Sequence, residues 1–244
     1  MASSRIIVFI TGANQGIGYE TAKNLLLFSS KYHVILGSRD LTKGTDAISN
    51  LLNFPIKGTV EAVQIDVTDD ASVDAAAKKV RDTLGRLDVL INNAGIGARH
   101  NPSARDAIRE VLAVNVVGVV SVTEAFLPLL RKSSAPRLIF VSSTTGSIAI
   151  AADPTGPLHG GGAMDYRSSK AALNMLMVLY WNRLEQEGFK VFGANPGLIA
   201  TNFHEGSRPG SEPETGGERI AAVVRGDRDV DVGKVCNANG VLPW

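Results

Sequence analysis

The feature that most constrains this chain is a repeated order: short runs rich in β-branched residues alternate with longer amphipathic stretches. Strand candidates are "RIIVFI" (Arg5–Ile10), "HVILGS" (His33–Ser38), "EAVQID" (Glu61–Asp66) and "LDVLINN" (Leu87–Asn93). They continue with "RLIFVSS" (Arg137–Ser143), "KVFGAN" (Lys190–Asn195) and the less apolar "KVCNANG" (Lys234–Gly240). Helical patterns lie between them at Ile17–Phe28, Leu41–Leu52, Ala71–Leu84, Ala104–Arg131 and Asp165–Glu187. Strand alternating with helix predicts an α/β fold, a doubly wound parallel sheet of about seven strands with helices on both faces. Strands apolar nearly throughout agree with burial on both sides. The pattern keeps one type across residues 1–244, so a single domain is expected.

Two segments break the pattern. "SIAIAADPTGPLHGGGAMD" (Ser147–Asp165) and "GLIATNFHEGSRPGSEPETGGE" (Gly197–Glu218) are rich in Gly, Pro and Ser. Both follow strands on the carboxyl side of the sheet, where open α/β folds bind ligands, and are expected to wall a pocket.

Composition removes other classes. With 44% apolar residues, 20% charged residues and a net charge of +1, the chain has no excess of cations for a nucleic-acid surface. One cysteine, Cys236, excludes an internal disulfide framework; it fits a reducing compartment and reads as a structural thiol. "MASSRIIVFITG" lacks a secretory core, and no run approaches eighteen uninterrupted apolar residues. A cytoplasmic protein with a small-molecule partner, and with neither nucleic-acid nor membrane partners, is expected. No His, Cys and carboxylate grouping has metal-ligand spacing, so no metal is expected. His33 opens a strand and reads as structural; His159 and His204 fall in the two irregular segments and are candidates for substrate contact.

"TGANQGIG" (Thr11–Gly18) places three glycines directly behind the first apolar run. A strand, such a turn and a helix let a pyrophosphate lie against backbone N–H groups at the positive end of the helix dipole. Three glycines at Gly12, Gly16 and Gly18 suggest that something besides the chain approaches this backbone. The spacing departs from the G-x-G-x-x-G dinucleotide fingerprint. At the end of the second strand Ser38 takes the place of the usual ribose-binding carboxylate, and Arg39 follows. Arginine offers a permanently charged fork for a 2′-phosphate, so NADP(H) is favoured over NAD(H). Asp40, a carboxylate beside Arg39, complicates that reading, although "RDLTKG" also makes it a candidate helix N-cap.

At this point the chain resembles the short-chain dehydrogenase/reductases, a Rossmann-type family, over nearly its whole length. The cofactor turn carries Gly12, Asn14, Gln15, Gly16, Ile17 and Gly18. "DVTD" supplies Asp66 and Val67 toward adenine, and "NNAG" supplies Asn93, Ala94 and Gly95. "VNVVG" contains Asn115, "VSSTTG" contains Ser143, "YRSSK" gives Tyr166 and Lys170, and "NPGLIAT" gives Pro196, Gly197, Ile199 and Thr201 near nicotinamide. Within the family the resemblance is to NADPH-dependent carbonyl reductases. It implies that Ser143, Tyr166, Lys170 and Asn115 are catalytic, that Tyr166 and Lys170 also meet the cofactor, and that Asn115 positions a water linking Lys170 to solvent.

Tyr-x-x-x-Lys occurs twice, also at Tyr19 and Lys23. Position selects the second pair, because Tyr19 falls beside the glycine turn and reads as a helix-surface aromatic. Ser142 and Ser143 face opposite sides of a strand; Ser143 precedes x-x-G as in the family, which leaves Ser142 as a buried hydroxyl bonded to backbone. Twenty-three positions separate Ser143 from Tyr166, a longer interval than the family pattern, and imply an enlarged loop beside the substrate pocket. One helical turn puts Lys170 on the face of Tyr166, where an ammonium at ~4 Å and an effective dielectric of ~20 favours phenolate by up to about 4 kcal/mol. The expected effect is a lowered tyrosine pKa. "AALNMLMVLY" (Ala171–Tyr180) is apolar nearly all round, so it packs inside or against another subunit, and a homodimer or homotetramer is expected. Two other readings remain: a catalytically silent NADP-binding redox sensor, and a sugar-nucleotide epimerase or dehydratase, for which a larger C-terminal substrate region than "GERIAAVVRGDRDVDVGKVCNANGVLPW" is expected.

Overall fold

The computed structural model describes residues 5–97, 103–199 and 210–243. In chain order the elements are β1 (Ile6–Ile10), α1 (Gly16–Phe28), β2 (Tyr32–Ser38), α2 (Leu41–Leu51), β3 (Thr59–Gln64), α3 (Asp70–Leu84) and β4 (Val89–Asn92). They continue as α4 (Ala104–Leu112), α5 (Gly118–Leu130), β5 (Arg137–Val141), α6 (Ile148–Ala152), α7 (Met164–Leu184), β6 (Lys190–Ala194), α8 (Pro213–Arg225), β7 (Val235–Asn237) and β8 (Gly240–Val241). The sheet order is β3-β2-β1-β4-β5-β6-β7-β8. The first seven strands run parallel, and β8 is a two-residue antiparallel addition beyond the seven expected.

Alternation along each strand builds the three layers. On β1, Ile7 and Phe9 join Phe126, Phe140, Leu173 and Met177 on the face covered by α3, α5 and α7. Val8 and Ile10 point the other way, into Leu25, Leu26, Ala47, Ile220 and Val224 beneath α1, α2 and α8. The Phe9 and Phe126 rings meet at 4.6 Å between centroids, and both are fully buried; a phenylalanine in such a place stabilises the fold by about 3–5 kcal/mol relative to alanine. β1 pairs with β2 on one side and β4 on the other, so chain order reverses between β1 and β4. That switch point opens a crevice at the carboxyl ends of the strands.

Three local departures from the expected elements bear on the site. The run expected as one helix from Ala104 to Arg131 is interrupted by a π-helical turn at Ala113–Val117, which holds Asn115; such bulges concentrate at functional sites. This Ala104–Leu130 run is long and apolar enough to cross a membrane, yet Val111, Val122, Phe126 and Leu130 are fully buried core residues. β3 stops at Gln64, so Asp66 lies in the loop beyond it. Helix α8 begins at Pro213, inside a segment read as loop. Gly216 and Gly217 near its start mask a helical pattern, but Gly217 answers a packing need: a Cβ there would stand 2.5 Å from the Glu20 backbone of α1.

Candidate active site

The crevice is a cleft of about 1750 Å³ running from the glycine turn past β4 and β5 to the loop before α7. That volume exceeds the roughly 300–1,000 Å³ of a site for one small ligand and leaves room for a dinucleotide and a second molecule.

At one end, Gly12 and Gly16 adopt φ of +63° and +60°, which only glycine takes without strain. Helix α1 starts here with Gln15 at its N-cap, no side chain capping it and no acidic residue in its first turn. That arrangement suits a phosphate at the N–H groups. The structure corrects the expectation that all three glycines serve something outside the chain. A Cβ on Gly18 would sit 2.6 Å from the Asn93 amide, and one on Gly12 would sit 3.0 Å from Ala94. Both glycines therefore let the turn nest against the end of β4, and Gly18 does not reach the cleft wall. Asn93 Nδ2 donates to the Thr11 and Gly12 carbonyls at 2.8 and 3.1 Å. Thr11 Oγ1 accepts the amides of Asn93 and Ala94 at 3.0 and 2.9 Å. Thr11 thus joins β1 to β4, a role invisible without the sheet order.

Along the side expected to take adenosine, Asn14, Gln15, Ile17, Arg39, Asp66 and Val67 line the cleft. Ser38 does not: it is buried and its hydroxyl donates to the Asp40 carbonyl at 2.7 Å. Asp40 caps α2, accepting from Thr42 N at 2.9 Å and Lys43 N at 3.4 Å, so its carboxylate is engaged by the helix. Arg39 is exposed at the rim. Burial opposes ionisation of Asp66, but hydrogen bonds from Thr68 and the charge of Arg39 outweigh it and hold its carboxyl below the ordinary value.

At the far end, β5 and α7 bring Ser143, Tyr166 and Lys170 together on the cleft wall. The helix comes close because Gly146 presses against it: a Cβ there would lie 2.7 Å from the Lys170 carbonyl carbon. Lys170 is 4% exposed; its ammonium donates to the Val141 carbonyl at 2.7 Å and stands 5.5 Å from the centroid of the Tyr166 ring. Burial pushes the Tyr166 phenol up to about 12, with a hydrogen bond from Ser143 pulling the other way. Burial likewise pushes the Lys170 ammonium down to about 8. This overturns the expected acidification of the tyrosine by its neighbouring cation: desolvation is the larger effect at both groups. Tyr166 keeps its proton at neutral pH.

Two further expectations change. The Ser142 hydroxyl is buried as expected, but it bonds the Asn174 side chain rather than backbone. The Asn115 side chain lies behind the cleft wall: its Oδ1 accepts from Ile96 N at 2.8 Å, and its Nδ2 donates to Ile96 O at 2.8 Å and Ser169 Oγ at 2.9 Å. The amide fixes the segment after β4 to α7. Gly95, Pro196, Gly197 and Ile199 line the cleft; Thr201 and His204 lie outside the described residues.

The enlarged loop supplies Pro157, Leu158, His159 and Gly160 to the cleft, as its length implied. Arg167, next to Tyr166 and not anticipated, fastens it by donating to Leu158 O and Gly160 O at 2.8 Å each. His33 is structural, bonded to Thr59 at 2.7 Å and Glu61 at 3.2 Å. Cys236 is buried.

Comparison with known proteins agrees with this geometry. The family model described as short chain dehydrogenase matches residues 6–212. A short-chain dehydrogenase/reductase, tropE, of Talaromyces stipitatus is 36% identical over 98% of this chain and 97% of its own. Salutaridine reductase of Papaver bracteatum is 33% identical over 76% of this chain and 70% of its own. The crystal structure of an NADPH-bound carbonyl reductase from chicken fatty liver superposes with a TM-score of 0.83 at 28% identity, covering 100% of this chain and 96% of that one. The chain belongs to the short-chain dehydrogenase family of nicotinamide-dependent oxidoreductases.

Proposed function

We propose that this protein is an NADPH-dependent reductase that converts an aldehyde or ketone to an alcohol. The observation that carries the reading is the convergence of Ser143, Tyr166 and Lys170 at one end of a cleft whose other end is an uncapped helix N-terminus behind a glycine turn. Gly12, Asn14, Gln15, Gly16 and Ile17 would hold the pyrophosphate, Arg39 the 2′-phosphate, and Asp66 and Val67 the adenine. Lys170, Pro196, Gly197 and Ile199 would hold the nicotinamide end. The cofactor, when bound, supplies the hydride.

The remaining task of the protein is to orient a carbonyl and protonate its oxygen. Ser143 donates a hydrogen bond to that oxygen and stabilises the charge that grows there. Tyr166 gives up its proton: an alkoxide is a stronger base than a phenolate, so a buried phenol held near 12 transfers only when the alkoxide forms. The Lys170 ammonium stabilises the resulting phenolate, because opposite charges close together in a buried site attract strongly. The substrate wall is largely apolar, with Ile96, Val114, Pro157, Leu158 and Leu198, and suits a bulky carbonyl compound. Met175 and Leu179 on α7 are 60% and 54% exposed, which supports the expected homo-oligomer.

The test is NADPH consumption against a panel of aldehydes, ketones, quinones and steroids, with NADH in parallel. Turnover with NADPH on at least one carbonyl class is expected. Tight NADPH binding with no turnover on any of them would favour the redox-sensor reading instead.

A further inference from the structure

The Ser143 hydroxyl has one proton to give and two lone pairs to fill. One lone pair takes the Thr145 amide, which donates at 3.2 Å. The Thr145 hydroxyl lies 2.9 Å away, and Tyr166 is the other hydrogen-bonding neighbour. Thr145 lines the cleft, and among the described residues Ser143 is the sole hydrogen-bond partner of its hydroxyl. Its neighbour Thr144 does a different job, accepting from Asn195 Nδ2 at 2.6 Å and tying the turn to β6.

Resting on the reading that Ser143 and Tyr166 bind the carbonyl oxygen, we infer that the Thr145 hydroxyl is a positioning group that sets the direction of the Ser143 proton. When Thr145 donates to Ser143, both Ser143 lone pairs are filled and its proton is left for the substrate oxygen. In the opposite arrangement the proton goes to Thr145, and Ser143 turns a lone pair toward an oxygen that also carries lone pairs. A carbonyl oxygen therefore selects the first arrangement. Without the Thr145 hydroxyl, the Ser143 proton is free to turn toward Tyr166 instead.

Two substitutions separate this from packing. Thr145→Val keeps the shape and loses the hydroxyl; Thr145→Ser keeps the hydroxyl and loses the methyl. Positioning predicts that Thr145→Val lowers kcat roughly 3- to 10-fold, the scale of one neutral hydrogen bond. It predicts that KM for NADPH is unchanged and that Thr145→Ser stays within about twofold of wild type. Packing predicts the reverse order, and that order overturns the inference. In a Ser143→Ala background, adding Thr145→Val should change kcat by less than about twofold, because the group it orients is gone. A full Thr145→Val effect persisting in that background also overturns it. If Ser143→Ala itself turns over at the wild-type rate, the assignment of Ser143 fails and this inference falls with it. If Ser143→Ala is impaired while Thr145→Val is not, the inference alone fails.

Discussion

Lys170 holds a charge where the fold disfavours one, and the consequence is measurable as stability. Its ammonium is pushed from an ordinary 10.5 down to about 8 by burial. The unfolded chain therefore binds this proton more tightly than the folded chain. The resulting destabilisation is complete below the folded value and disappears as pH rises through the unfolded one. That displacement corresponds to about 3 kcal/mol near pH 7 and about 1 kcal/mol near pH 9.5. Lys170→Met fills a similar volume with no charge to desolvate. It gives up the charged hydrogen bond to the buried Val141 carbonyl, which costs about 1.5 kcal/mol. The variant should therefore be more stable than wild type by about 1–2 kcal/mol near pH 7 and within about 1 kcal/mol of it near pH 9.5. Urea unfolding of both proteins at the two pH values reads this directly. Reductase turnover should be lost in the same variant, a stability gained at the expense of function. A Lys170→Met protein less stable than wild type at pH 7, or a difference independent of pH, would refute the reasoning.

Other expectations follow from packing and charge. Gly217→Ala should lower unfolding stability by about 2 kcal/mol in urea titrations despite alanine's better helix propensity, because its Cβ would meet the Glu20 backbone at 2.5 Å. Arg39→Asp should weaken NADPH binding at least ~10-fold while leaving NADH binding little changed, read by cofactor fluorescence; an unchanged NADPH preference would remove Arg39 from the account. Arg167→Met should free the Leu158 and Gly160 carbonyls it now holds. It should raise KM several-fold for bulky carbonyl substrates, with the NADPH dissociation constant unaffected; steady-state kinetics on a large and a small substrate compare the two.

Much of the fold is legible in the chain because its strands are buried on both faces and its helices on one. "IIVFI" needs no partner to read as a core strand, and Asp40 reads as a helix cap because an N-terminal carboxylate satisfies free amides whatever lies elsewhere. Helix α8 escaped because its two glycines lower local propensity, Gly217 for the sake of α1, nearly two hundred residues away in sequence, and Gly216 for Ile199 and Pro196. The gathering of Ser143, Tyr166 and Lys170 was legible from motif order. Their electrostatics were not: spacing shows that Lys170 shares a helix face with Tyr166, but not how completely both are taken from water. The side chains of Ser38 and Asn115 turn away from the cleft wall for one reason, since each bonds backbone groups that only the folded chain places nearby. Arg167 carried no motif at all; its partners are carbonyls of a loop with no readable pattern.

The central claim is that the Tyr166 hydroxyl protonates the carbonyl oxygen during hydride transfer. Single-turnover mixing of NADPH-loaded protein with a substrate found in the carbonyl panel tests it in wild type and Tyr166→Phe. The account predicts that the variant binds NADPH within about twofold of wild type while its transfer rate falls at least ~100-fold, as loss of a general acid requires. A transfer rate near that of wild type would contradict it.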